Sequence, residues 1–200
     1  MFFQKAEQHR KAAEYVKAVE LYEKALAHFK EQSDISATLD CIISLGDTLR
    51  AKGDFTEAKK YYDEGSSLAG ALDDRASEAD ALAGLGLSLR ALGDWDRALK
   101  LVAEAGSLYK SLHDKKGEAF SIWARGGTYR IKGDIIKALR DLHSALGKFT
   151  ALKDQSGVAY SYCGLGGSSR VSGSRVLAAP QPDAFECCGY YGYCRQIESS

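Results

Sequence analysis

The chain has 200 residues, 45% hydrophobic and 27% charged, a composition that supports a folded core and excludes a disordered or fibrous class. Lys plus Arg and Asp plus Glu each total 27, so there is neither the basic excess expected of a general nucleic-acid binder nor an acidic tail. No run approaches the roughly 20 apolar residues of a membrane span, and Met1-Phe2-Phe3-Gln4-Lys5 meets charge too early for a secretory leader, so the expected location is the cytoplasm.

Proline is confined to Pro180 and Pro182, where ordinary usage of about 5% would give about ten. The proline-free run before them is rich in Ala, Leu, Lys and Glu and predicts helix end to end. A 40-residue period runs through it: Gly53-Asp54, Gly93-Asp94, Gly133-Asp134 and Gly173-Ser174 share one interval. The columns Ala18, Ala58, Ala98, Ala138 and Ala178, and Arg10, Arg50, Arg90, Arg130 and Arg170, keep it. So do Gly46, Gly86, Gly126 and Gly166, and Asp34, Asp74, Asp114 and Asp154.

Taken in chain order, residues 1–33 form a partial unit whose first helix already contains Met1, because Arg10 corresponds to Arg50. Units 34–73, 74–113 and 114–153 each read as two helices. The leading Asp caps the first helix, Gly53, Gly93 or Gly133 ends it in a left-handed conformation, and the next Asp caps the second. Asp54-Phe55-Thr56-Glu57 has capping-box spacing. So tight a turn makes the helices antiparallel. Ile42, Leu45, Gly46 and Leu49 recur as Leu82, Leu85, Gly86 and Leu89, one apolar stripe. Ala58, Tyr62 and Gly65 supply the facing side, with Ala18, Tyr22 and Ala25 as counterparts.

Residues 154–178 are a second partial unit, and 179–200 share no column with the repeats. The prolines fall where a second helix should continue, so an irregular tail is expected and the chain reads as a truncated or alternatively ended form of a longer array. Cys187, Cys188 and Cys194 invite a zinc reading, but tetrahedral zinc wants four ligands and the tail has no His; no metal is expected. A loosely docked or disordered end, with Phe185 and the tyrosines shielding the open array, is the plainer reading. Five scattered cysteines fit reduced thiols.

Leu45-Gly46, Ala58, Tyr62 and Gly65 resemble the tetratricopeptide repeat, in the extended 40-residue variety of kinesin light chains and of spindle-orientation adaptors that carry Leu-Gly-Asn. The resemblance covers residues 1–178. It implies an all-α, right-handed superhelical solenoid of antiparallel helix pairs, non-enzymatic and without cofactor, that binds a partner peptide or helix along its concave face. In this family the first helix of each unit lines that face. The implied stripe runs Asp40, Ile43, Asp47, Arg50; then Asp80, Ala83, Leu87, Arg90; then Phe120, Trp123, Gly127, Arg130; then Tyr160, Cys163, Gly167, Arg170.

Partner contacts are accordingly expected at Asp47, Arg50, Leu87, Arg90, Phe120, Trp123, Gly127, Arg130 and Arg170. Two roles stand open for the Arg column: gripping a partner's carboxylates or carbonyls, or offsetting the dipole of its own helix end and pairing with a nearby acid. Phe120 and Trp123 beside Gly127 could form a socket for an apolar side chain, or Trp123 could pack between neighbouring units. Asp47, Leu87, Gly127 and Gly167 stand where the Leu-Gly-Asn adaptors have Asn, so that ladder is absent, as are the Lys and Asn of the carboxylate clamp. His9, His28, His113 and His143 are scattered, and Gly84-Leu85-Gly86 and Gly164-Leu165-Gly166 lie in helices, so no enzyme is expected. The alternatives are self-assembly through exposed solenoid ends and, less favoured by zero net charge, RNA binding in an Arg-lined groove.

Overall fold

The computed structural model describes residues 2–172, with side chains through 169. The tail at 179–200, the end of the fifth unit and the side chain of Arg170 lie outside the described residues. Among the described residues there are nine helices and no strand: α1 (Phe2–Lys11), α2 (Tyr15–Glu31), α3 (Ile35–Lys52), α4 (Phe55–Ala71), α5 (Arg75–Ala91), α6 (Trp95–Ser111), α7 (Lys115–Lys132), α8 (Ile135–Ala151) and α9 (Gln155–Ser172). First helices open at Ile35, Arg75, Lys115 and Gln155 and second helices at Tyr15, Phe55, Trp95 and Ile135, so the 40-residue period of the sequence is the period of the fold. No helix among the described residues is long and apolar enough to cross a membrane.

The chain divides into two compact units, residues 1–114 and residues from 115 on. In the first, each of α1 to α6 packs on its successor and α3 also packs on α5. In the second, α7 packs on α8 and α8 on α9, with α7 touching α9. Each unit is thus a stack of antiparallel helix pairs, the all-α solenoid class.

Turn chemistry explains the helix ends. Asp34, Asp74 and Asp154 accept from the backbone N–H three residues on, at 3.0, 3.1 and 3.1 Å. Gly53, Gly93 and Gly133 hold φ of 93°, 89° and 90°, the left-handed region that costs a residue with a Cβ. The capping box forms by one arm only. Asp54 accepts from Glu57 N–H at 3.4 Å, but the Asp54 N–H is already given to Leu49 O at 2.9 Å across the Gly53 turn. Glu57 therefore bonds Lys60 instead, at 2.5 Å. The turns from second to first helices use a left-handed residue that is not glycine: Ser33, Asp73, His113 and Lys153, with φ between 54° and 58°. They close as the glycine turns do, for example Asp74 N–H to Ala69 O at 2.9 Å.

Packing follows the small-residue columns. The buried ring of Tyr62 lies so close to α3 and α5 that a Cβ at Gly46 or Gly84 would come within 2.8 or 2.3 Å of it. In the second unit Leu142 fills the same role between Gly126 and Gly164, where a Cβ would approach to 3.0 and 2.8 Å. The Phe149 ring likewise demands Gly157, at 2.2 Å from a would-be Cβ. Large side chains on second helices are thus seated where first helices have none.

Candidate partner-binding surface

The arginine column stands in the last turn of the first helices, and its partners decide what each member can do. Arg50, at the end of α3, donates from Nε to the Tyr62 hydroxyl at 3.1 Å and from Nη2 to Asp47 Oδ1 at 3.3 Å. The Tyr62 hydroxyl donates to the same Asp47 oxygen at 2.6 Å. One unit earlier Arg10 repeats the clasp, reaching Tyr22 Oη at 3.3 Å and Glu7 Oε2 at 2.7 Å, while Tyr22 donates to Glu7. Burial opposes the charge of Arg50, but Tyr62 and Asp47 outweigh it and hold the guanidinium protonated beyond its ordinary range. Burial, then Asp47, pushes the Tyr62 phenol up. For Arg10, Glu7 is the leading cause of the same upward shift.

These two arginines are therefore fixed by their own unit rather than by an adjoining one. The acid sits three residues before and the tyrosine twelve after, a pattern visible as Glu7-Arg10-Tyr22 and Asp47-Arg50-Tyr62. Tyr62, expected only as packing, is the clasp's third arm. In the next units the pattern lapses: Arg90 has Leu87 and Val102 at those places, and Arg130 has Gly127 and Leu142. Leu87 is only 5% exposed, packed within a run from Ala81 to Leu89 that is buried throughout, so it offers a partner little surface. Arg90 and Arg130 are half-buried.

In the second unit Phe120, Trp123 and Tyr160 form a tilted aromatic row, with ring centroids 5.5 and 5.7 Å apart. Trp123 donates its indole N–H to Tyr160 O at 3.2 Å, tying α7 to α9. All three rings are half-buried. Packing between neighbouring helices and a partly open aromatic face thus coexist in Trp123. Gly127, one turn further along α7, is buried. The guanidinium of Arg130 lies over Gly167 of α9, where a Cβ would stand 3.3 Å from Nη1.

A second polar cluster has no forerunner in the expectations. Asp141, 2% exposed, accepts from Arg125 Nε at 2.6 Å and Arg140 Nε at 3.1 Å. Its signal was a broken column: Arg125 replaces the Leu of Leu45, Leu85 and Leu165, and Asp141 stands where Leu21, Tyr61 and Leu101 do. In the first unit Tyr109 donates to Asp80 at 2.6 Å, and burial is the main cause of the raised Asp80 carboxyl. No group of three or more His, Cys, Asp or Glu stands together as a metal site among the described residues.

The family model described as Tetratricopeptide repeat matches residues 1–69 and 36–111, more than half of the chain. No curated protein sequence matches. Among solved structures, a Rap protein complexed with competence and sporulation factor shares 15% identity and a TM-score of 0.72, covering 80% of this chain and 45% of its own. BtubC from P. vanneervenii gives 17% identity and a TM-score of 0.69 over 97% of this chain and 77% of its own. TPR-like repeats assigned to a kinesin light chain of Podosopora anserina give 16% and 0.67, over 99% and 93%. This chain thus spans less than half of the Rap protein's length but nearly all of the Podosopora repeats. At such identities the likeness shows the fold, and the family model supplies the rest: the chain belongs to the tetratricopeptide repeat family.

Proposed function

We propose that this protein is a non-enzymatic, cytoplasmic adaptor, an array of units 1–33, 34–73, 74–113, 114–153 and 154–178 that holds a partner peptide or helix on its first-helix surfaces. The observation that carries this reading is the half-buried aromatic row of Phe120, Trp123 and Tyr160, on the helices that also carry Arg130 and Gly167. Arg10 and Arg50 are held by acid–tyrosine clasps. Arg90 and Arg130 keep the same place on their helices with apolar or absent side chains at the clasp positions. A planar guanidinium at a helix end suits bidentate contact with a partner's carboxylate or backbone carbonyls. Phe120, Trp123 and Tyr160 add a half-buried aromatic face in the unit that carries Arg130, the kind of anchor on which interface energy concentrates.

Family membership supports the interaction role, and the Rap structure shows a related fold complexed with competence and sporulation factor. Capture of bound proteins from a cell extract, with intact protein and with the Arg90→Glu/Arg130→Glu variant, tests the reading. The variant is expected to lose the captured species while its far-ultraviolet dichroism is unchanged. An identical captured set would remove the two arginines from the binding role.

A further inference from the structure

The chain is neutral as a whole, but its two compact units are not. Residues 1–114 carry fifteen Lys and Arg against twenty Asp and Glu, a formal charge of −5. Residues 115–172 carry ten Lys and Arg against four Asp and Glu, a formal charge of +6. The acids of the second unit are spoken for: Glu118 by Lys148 at 2.9 Å, Asp134 by Lys137 at 2.7 Å, Asp154 by Lys116 at 2.9 Å, and Asp141 by two arginines. Those pairs also hold five of the ten cations, and the field of the unit is set by its excess of six positive charges. In the first unit the excess runs the other way. Burial, then Asp74 and Asp34, raises the Asp40 carboxyl, and burial together with Asp47, Asp114 and Asp74 raises Asp80. In both, neighbouring carboxylates add to the effect of burial.

We propose that the acidic unit of one copy docks against the basic unit of a second copy of this chain. Three considerations select a second copy over other charged partners. The two complements reside in one molecule with nearly equal magnitude. Zero net charge removes the general repulsion that ordinarily keeps copies apart. A second copy also supplies both complements at equal concentration, whereas an anionic polymer would meet only residues 115–172 and be repelled by the rest. The contact joins unlike surfaces, so each copy brings one of each. It also differs from stacking of apolar solenoid ends: exposed charges more than a Debye length apart, roughly 10 Å at 0.1 M salt, are screened, so the association must weaken as salt rises.

Sedimentation velocity of the full chain across a concentration series, at low and at about 0.5 M salt, tests this. The expected result is a mass above the 21.7 kDa of one chain at low salt, falling to that value at high salt. Glu20→Lys/Glu104→Lys reduces the first unit from −5 to −1, and Lys115→Glu/Lys153→Glu reduces the second from +6 to +2; all four side chains are exposed. Each variant alone is expected to stay monomeric at low salt. An equimolar mixture is expected to associate again, because the unaltered acidic unit of one then meets the unaltered basic unit of the other. A monomer at every salt concentration, association indifferent to salt, or a mixture no heavier than its components would overturn the proposal. So would a low-salt monomer that is retained on single-stranded RNA, which would make nucleic acid the occupant.

Discussion

At the scale of single residues, two glycines inside helices differ in what surrounds them. Gly84 sits mid-helix against the Tyr62 ring, with a would-be Cβ at 2.3 Å from a side chain that has no exposure and no room to turn. Gly147 sits mid-helix in α8 with nothing within 4 Å. Gly84→Ala is therefore expected to destabilise by about 1–3 kcal/mol through overpacking, while Gly147→Ala should stabilise by about 0.5–1 kcal/mol through helix propensity. Denaturant midpoints of the two variants, moving in opposite directions, check both. Ala13 gives a third case. It occupies the place of Gly53, Gly93 and Gly133 with φ 57°, a left-handed conformation that penalises its methyl group. Ala13→Gly is expected to raise the melting temperature, because relief of about 1 kcal/mol or more of backbone strain exceeds the entropy glycine adds to the unfolded chain. A lower melting temperature would show that the turn tolerates the methyl without strain.

At the scale of helix pairs, two polar devices replace apolar contacts, and they differ in what they stabilise. The Arg50–Tyr62–Asp47 clasp joins the end of α3 to α4 across their turn, with every arm satisfied. Tyr62→Phe removes the hydroxyl from both bonds and is expected to cost about 1–2 kcal/mol, measured by urea unfolding, with Phe retaining the ring's packing. The Arg125–Asp141 pair bridges α7 and α8 with the carboxylate inside the core. Arg125→Leu alone leaves that carboxylate with Arg140 as its remaining cation and should cost about 1–3 kcal/mol. Arg125→Leu/Asp141→Leu restores the residues of neighbouring repeats, Leu85 and Leu101, and should be neutral or stabilising, a strongly non-additive cycle. A double variant as unstable as Arg125→Leu would mean that the polar pair is built into the backbone geometry of this repeat.

At the scale of the whole molecule, the repeat grammar carried most of the fold into the sequence. Helix starts at Ile35, Arg75, Lys115 and Gln155 follow from an Asp before each, because capping and left-handed turns are local chemistry. The non-glycine turns at Ser33, Asp73, His113 and Lys153 were not legible, since they close by the same local backbone bonds as the glycine turns with no glycine to mark them. Site residues were less legible still. The clasp's spacing gains meaning only from the reach of Tyr62 across a helix pair, and the burial of Leu87 depends on the helices around α5. Stability should also follow pH in two senses. Asp74, Asp134 and Asp154 are held below the usual carboxylate range, by the Ser77 backbone, Lys137 and the Gly157 backbone respectively, so their contribution is lost as pH falls below about 4. Asp40 and Asp80 are raised, chiefly by burial, so protonating them on the way down from neutrality adds stability first. Thermal melts should thus peak at mildly acidic pH, and a monotonic fall from pH 7 would contradict the assignment. The most direct test of the adaptor reading is calorimetric titration of a peptide selected by display against the intact chain. The account predicts that Arg130→Glu weakens it at least about tenfold, or 1.4 kcal/mol, with helical dichroism at the working temperature unchanged; equal affinity for wild type, Arg130→Glu and Trp123→Ala would contradict it.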